Sequence, residues 1–171
     1  VSSLTLLDAD FANVHNVEKL DLKGTGAQSV TLGTNTDAAF STGIEITTDA
    51  TATSLNLDGS GSSVAITATG TNNSDTMTGG SAADNLTGGS GADVLTGNGG
   101  ADNLSGEDGD DSFIFASASE LSADTSVDGG NNSDTIRMNT GVSSLTLLDA
   151  DFTDVHNVEK LDLKGTGAQS V

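Results

Sequence analysis

The sequence predicts an all-β chain, a parallel β-solenoid, on three observations. Five nonapeptides follow one another without a gap from Gly70 to Ile114, each with Asp in its sixth place and a large apolar residue in its eighth. Apolar-x-apolar triplets separated by Gly, Asn, Asp and Ser fill the stretch from Val17 to Ile66 at nearly the same spacing. The first 30 residues recur almost unchanged at 142–171.

Residues 1–69 are read as solenoid coils without a calcium motif. Their triplets are Leu20/Leu22, Val30/Leu32, Ile44/Ile46, Leu55/Leu57 and Val64/Ile66, with turn-forming residues between them. Short strands at this spacing suit an antiparallel sandwich. They also suit the rungs of a parallel solenoid with two strands per coil. The solenoid is favoured because the triplets run into the nonapeptides without a linker. A sandwich would have to close on itself before Gly70, and five short strands with almost no aromatic side chains make a poor closed core. In a solenoid each coil covers the next, so the apolar stack is continuous.

The five nonapeptides place Asp75, Asp84, Asp93, Asp102 and Asp111 in the sixth position and Met77, Leu86, Leu95, Leu104 and Phe113 in the eighth. Nine residues make one Gly-rich turn and one minimal strand with a single side chain facing the core. Two such units make a coil, with turns on opposite edges. Turns on the same edge are then 18 residues apart, so Asp75, Asp93 and Asp111 stack on one edge and Asp84 and Asp102 on the other. Calcium takes six to eight oxygen ligands in loose geometry. Glycine-rich turns can aim backbone carbonyls inward, and Asp adds a short, stiff carboxylate. The pattern therefore predicts several calcium ions per repeat, each held between two stacked turns.

The repeating unit resembles the nonapeptide G-G-x-G-x-D-x-U-x of the RTX (repeats-in-toxin) proteins, which form a right-handed parallel β-roll. Gly88–Thr96 matches it at every defined place; elsewhere Thr71, Asn98 and Glu107 replace the second glycine, and Asn73 and Ala82 the third. A weaker sixth copy runs from Gly129 to Arg137, with Asp134 and Ile136 at the key places. The resemblance implies calcium ligation by the side chains of Asp75, Asp84, Asp93, Asp102, Asp111 and Asp134. It implies further ligation by backbone carbonyls, with Gly80, Ala82, Gly89, Gly91, Asn98 and Gly100 as candidates. Asp108 and Asp110 on the fifth turn are additional candidates. The fold implied is a β-helix running into an RTX-type calcium β-roll over residues 70–115.

Residues 116–128 break the period and are read as a lateral excursion with one helical turn near Ser117–Ser122. The coil resumes over 129–141. At Val142 the chain restarts: residues 142–171 repeat residues 1–30 with Thr153 for Ala12 and Asp154 for Asn13. The chain is thus one 141-residue unit and the start of the next. With about 18–20 residues per coil the unit would hold about seven coils, a rod of roughly 35 Å. The segment around Val14–Gly26 also resembles, by composition, the coils of RTX-containing adhesins and RTX-type S-layer proteins.

Composition bounds the function. There are 25 acidic and 5 basic residues, a net charge of −20, and only 3% aromatic residues. Such a chain repels itself without counter-ions and has few large core groups. Folding coupled to calcium binding is expected, because binding energy then becomes folding energy. Extracellular calcium modules bind at about 10⁻⁴–10⁻³ M, which places folding after export. The absence of Cys fits an exported protein that does not rely on disulfides. No apolar run approaches the ~18 residues of a membrane span, and the basic footprint of a nucleic-acid binder is missing. The RTX resemblance implies type I secretion through a C-terminal signal, to be sought beyond Val171, and a secreted or bacterial cell-surface location.

No catalytic motif such as H-E-x-x-H or G-x-S-x-G occurs, and the chain is read as not an enzyme. His15 and His156 are one position in two copies, too far apart along a rod to share a metal. Lys19 and Lys23, with Glu18 and Asp21, are read as an exposed face with charge pairing between coils. The expected partners are calcium and other copies of the same unit, head-to-tail or laterally. The function expected is a structural tandem-repeat unit of a calcium-dependent surface fibre or adhesin stalk. The alternatives are an S-layer lattice protein and a calcium-triggered β-roll attached to a secreted enzyme.

Overall fold

Alternating apolar residues bounded by turn formers produce very short strands here, and the computed structural model describes them over residues 3–138, 144–164 and 168–170. In chain order they are β1 (Leu4–Leu6), β2 (Lys19–Leu22), β3 (Ala27–Thr31), β4 (Ile44–Thr48), β5 (Ser54–Asp58), β6 (Ile66–Thr69), β7 (Thr76–Thr78), β8 (Asn85–Ser90) and β9 (Val94–Thr96). They continue as β10 (Asn103–Asp108), β11 (Ser112–Phe115), β12 (Ser126–Asn131), β13 (Thr135–Met138), β14 (Ser144–Thr146), β15 (Val155–His156), β16 (Lys160–Leu163) and β17 (Ala168–Ser170). Two short helices, α1 (Thr34–Ala39) and α2 (Ala118–Leu121), and 3-10 turns at Asp8–Phe11 and Asp149–Phe152 complete the described elements.

Odd-numbered strands β1 to β13, followed by β16, form an eight-stranded sheet, and even-numbered strands β2 to β12, followed by β15, form a seven-stranded one. β14 pairs with β17 apart from both. Every described pairing is parallel. Successive strands alternate between two parallel sheets, which is the solenoid; the antiparallel sandwich is not formed.

In-register stacking makes the core a file of single side chains. Leu57, Met77, Leu95, Phe113 and Ile136 lie one above another in one sheet. Ile46, Ala68, Leu86, Leu104 and Val127 do so in the other. All are buried, and together they belong to one continuous cluster. A thin core of this kind has no closed volume of its own; each rung is covered only by its neighbours.

Several details differ from the sequence reading. A uniform 18-residue coil holds only in the roll, where Thr76 pairs with Val94 and Val94 with Ser112. Elsewhere the coil is longer: Leu4 pairs with Gln28, Gln28 with Leu55, Ser112 with Thr135 and Thr135 with Lys160. Seven rungs, β1 to β13 in the odd-numbered sheet, therefore span six coil steps from Leu4 to Thr135, a rise of about 29 Å.

The longer coils contain, in the same order, the 3-10 turn at Asp8–Phe11, α1, α2 and the 3-10 turn at Asp149–Phe152. Helix α1 had no local signature. It is capped from the preceding coil: Asp8 Oδ1 accepts from the Thr36 N–H and Oγ1, both at 2.8 Å, and Oδ2 accepts from Asn35 Nδ2 at 2.9 Å. Val64 lies outside β6, which begins at Ile66 and buries Ile66 and Ala68 instead. The excursion is shorter than 116–128, because β12 already starts at Ser126. Within it, α2 is capped by Ser117 Oγ accepting from the Glu120 N–H at 3.1 Å. Residues 139–141 of the resumed coil, and 142, 143, 165–167 and 171 of the second copy, lie outside the described residues.

Candidate metal centre: two carboxylate ladders

Each Gly-rich turn delivers its Asp to the base of the next strand, pointing inward. Asp75, Asp84, Asp93, Asp102, Asp111 and Asp134 are all buried, none more than 3% exposed. Isolated carboxylates at that depth are costly unless they are hydrogen-bonded and neutralised. One oxygen of each is satisfied by the coil below. On the first edge the N–H of Leu55 donates to Asp75 Oδ1 (2.5 Å), that of Asp75 to Asp93 (2.7 Å), that of Asp93 to Asp111 and that of Asp111 to Asp134 (both 2.8 Å). On the second edge Ile66 donates to Asp84 (2.7 Å) and Asp84 to Asp102 (2.8 Å). The two edges thus carry separate ladders, offset by half a coil.

The second oxygens divide the ladder in two. In the first turn of each edge the carboxylate is closed by its own turn: Asp75 Oδ2 accepts from the Thr71 N–H and Asp84 Oδ2 from the Gly80 N–H. From Asp93 onward, the Oδ2 atoms of Asp93, Asp102, Asp111 and Asp134 are buried with no hydrogen-bond partner. Turn conformation follows the same division. Positive φ occurs at the second and fourth places of the later turns, at Gly89 and Gly91, Asn98 and Gly100, Glu107 and Gly109, and Gly130 and Asn132. Among the described residues of the first two turns, Thr71, Asn73, Gly80 and Ala82 do not adopt it. At Gly100 and Gly109 the fourth place must also be small: a Cβ on Gly100 would lie 2.2 Å from the Ala82 carbonyl oxygen, and one on Gly109 1.7 Å from that of Gly91.

Burial pushes these carboxyl groups up from 3.8, and at Asp84, Asp93, Asp111 and Asp134 nearby like charges add to it. Asp84 and Asp111 rise to about 6 and Asp93 to about 7. Asp75, Asp102 and Asp134 are raised by the same burial. A row of buried acids held above the carboxylate range, with the Oδ2 atoms of Asp93, Asp102, Asp111 and Asp134 unpartnered, is a site suited to a cation.

The remaining predicted residues are placed as follows. The Gly80 carbonyl accepts from the Gly99 N–H at 3.2 Å, and Asn98 turns its side-chain Nδ2 to the Gly79 carbonyl at 2.8 Å. Ala82 and Gly91 present their carbonyls to the next turn on the same edge. Asp108 and Asp110 are exposed, outside both ladders, and reach the following coil: Asp108 Oδ1 accepts from Asn131 Nδ2 (2.7 Å) and Asp110 Oδ1 from the Ser133 N–H (3.1 Å). Among the described residues, no group of three or more His, Asp or Glu side chains could hold a metal by itself. A cation would therefore draw on carboxylates and turn carbonyls together.

Two ladder members escape the nonapeptide pattern. Asp124 Oδ1 accepts from the Asp102 N–H at 3.2 Å, and its Oδ2 is buried without a partner. Burial, with the charges of Asp102 and Glu120, raises it to about 7. Glu159 extends the other edge, its Oε2 accepting from the Asp134 N–H at 2.9 Å. The signal that would have found Glu159 is the acid-x-apolar step Glu159-Lys160-Leu161, which keeps the D-x-U spacing without the glycines. Asp124 has one more residue before Val127, taken up by Thr125, whose Oγ1 donates to the Asp102 carbonyl at 2.8 Å.

The donor set fits calcium. It is all oxygen, strongly anionic, and mixes carboxylates with turn carbonyls. A parallel solenoid with inward Asp ladders on Gly-rich turns belongs to the class of calcium-binding β-rolls. Residues 69–104, and again 78–113, match the family model of the RTX calcium-binding nonapeptide repeat, described as four copies. Residues 69–113 thus carry the RTX calcium-binding nonapeptide repeat, in the segment where the two ladders lie. No curated protein and no solved structure matches it.

Proposed function

We propose that this chain is a structural repeat unit of a secreted, calcium-dependent surface fibre or adhesin stalk, and not an enzyme. The observation that carries the reading is the row of buried, unpartnered Oδ2 atoms at Asp93, Asp102, Asp111, Asp124 and Asp134. The ligands would be these carboxylates with Asp75 and Asp84, helped by turn carbonyls at Gly80, Ala82, Gly89, Gly91, Asn98 and Gly100. Calcium supplies the positive charge that lets stacked acids sit at van der Waals spacing, and so stiffens the rod. Below the calcium level of the exterior the ladders repel, which keeps the chain open until export. The duplicated 30-residue block supports a tandem array, since an array restarts its unit whereas an enzyme needs one site.

Electron microscopy of the secreted parent protein in millimolar calcium and in chelator tests this. Thin rods that collapse on chelation are the expected result. A two-dimensional lattice would favour an S-layer protein, and compact particles in both conditions would overturn the rod.

A further inference from the structure

Identical residues occupy opposite sheets in the two copies of the duplicated block. Lys19–Leu22 (β2) lies at the free end of the seven-stranded sheet, paired only with β4. Lys160–Leu163 (β16) lies at the end of the eight-stranded sheet, paired with β13 through Thr135↔Lys160 and Ile136↔Leu161. The block keeps its internal fold: Leu4 pairs with Gln28 in the first copy, and Leu145 with Gln169 in the second. It is thus one folded piece, set down a second time in a different orientation about the rod axis.

The second copy also shows what the first lacks. Val155–His156 pair with β12, and Phe152, Val155 and Val158 pack against the core. Glu159 closes the first-edge ladder through the Asp134 N–H. Glu18, the same residue one unit earlier, is exposed, and among the described residues its carboxylate has no hydrogen-bond partner. The outer edge of β2 is likewise unpaired, the kind of edge that proteins cover.

We propose that the edge formed by Val14, Glu18 and β2 is the seat of the 126–138 coil of a preceding copy of this unit, with Glu18 accepting the N–H of that copy's Asp134, and that successive copies exchange sheets. This rests on the tandem-array reading. The exchange has a physical consequence. Within one unit the first edge carries four ladder aspartates (Asp75, Asp93, Asp111, Asp134) and the second three (Asp84, Asp102, Asp124). Alternating orientation evens out charge, and hence calcium, along both sides of a long rod. It also shows the Lys19 and Lys23 face to different sides in turn.

Paired cysteines in the full, otherwise Cys-free chain test the junction in calcium. Thr135→Cys with Lys160→Cys should cross-link, and Ser126→Cys with Lys160→Cys should not; the opposite pattern overturns the exchange. Adding one further unit ahead of Val1 should make Thr135 of that unit cross-link to Lys19, and failure there overturns the seat. Hydrogen exchange is independent of cross-linking. Glu159→Ala should speed exchange of the Asp134 amide by about tenfold, as expected for a lost charged hydrogen bond, with partial rescue by Glu159→Gln and no change from Glu18→Ala. An unchanged Asp134 amide in Glu159→Ala overturns the ladder junction. Loss of rods in the microscope with the cross-links intact would sink the fibre reading and leave the junction standing.

Discussion

The Asp93 carboxylate accepts the backbone N–H of Asp75, 18 residues earlier, at 2.7 Å, and keeps its other oxygen buried and unpartnered. One side chain thus does two jobs, holding the coil below and leaving an anionic oxygen for a cation.

The two jobs separate by mutation. Asp93→Asn keeps the acceptor oxygen and removes the charge. It should lower calcium affinity by about tenfold or more, one anionic donor being lost, while the chelated chain stays at least as stable as the parent. Asp93→Ala leaves the Asp75 N–H buried without an acceptor, and should cost ~1–3 kcal/mol even in saturating calcium. Calcium titration by calorimetry and thermal melts of both variants check this. Equal behaviour of Asn and Ala would refute the division of roles.

Acidity should substitute for calcium. Asp84 and Asp111 (about 6) and Asp93 (about 7) are held above their ordinary 3.8, chiefly by burial. A folded-state value above the unfolded one means the folded chain binds extra protons between these limits. Their contribution is fully present below about pH 4 and is lost as pH rises through about 6–7. In chelator the melting temperature should be higher at pH 5 than at pH 8, and millimolar calcium should reverse the order. Self-repulsion of a chain with net charge −20 acts in the same direction. Asp93→Asn/Asp111→Asn isolates the ladder, and an undiminished pH effect in that variant would assign it to general repulsion.

The roll was legible because every signal there is local. Glycine, Asp and one apolar residue recur in fixed phase, so period, edge and core position follow from counting. What escaped reading depends on contacts between coils. Helix α1 is stabilised by Asp8 from 28 residues away. Asp124 joins its ladder only because α2 absorbs the extra chain between two coils. Glu159 reads as a surface charge until β16 is seen to stack on β13. The coil length departed from 18–20 residues for the same reason, since a solenoid fixes rise per coil and leaves the length of its turns free.

Phe113 tests the thin core. It stacks between Leu95 and Ile136, fully buried. Phe113→Ala should cost about 3–5 kcal/mol, and the gap cannot close without breaking in-register pairing on both sides. Calcium should restore part of the loss by mass action. Denaturant melts at several calcium concentrations measure both, and a loss under ~1 kcal/mol would mean that the rungs repack independently of one another.

Glu107 offers a change in the opposite direction. It stands where the roll's consensus has glycine and holds φ at 74°, a left-handed conformation that costs a non-glycine residue roughly 1–3 kcal/mol. Its carboxylate is exposed and, among the described residues, has Ser105 Oγ as its one hydrogen-bond partner, at 3.2 Å, so little is lost with the side chain. Glycine at this place gains unfolded-state entropy, which offsets part of the relief. Glu107→Gly should therefore stabilise the calcium-bound chain by about 0.5–1 kcal/mol, and Glu107→Val should destabilise it, since a β-branched residue tolerates this conformation least. Thermal melts of the pair in calcium decide it. If glycine and valine shift stability alike, the strain at this turn is not what limits the roll.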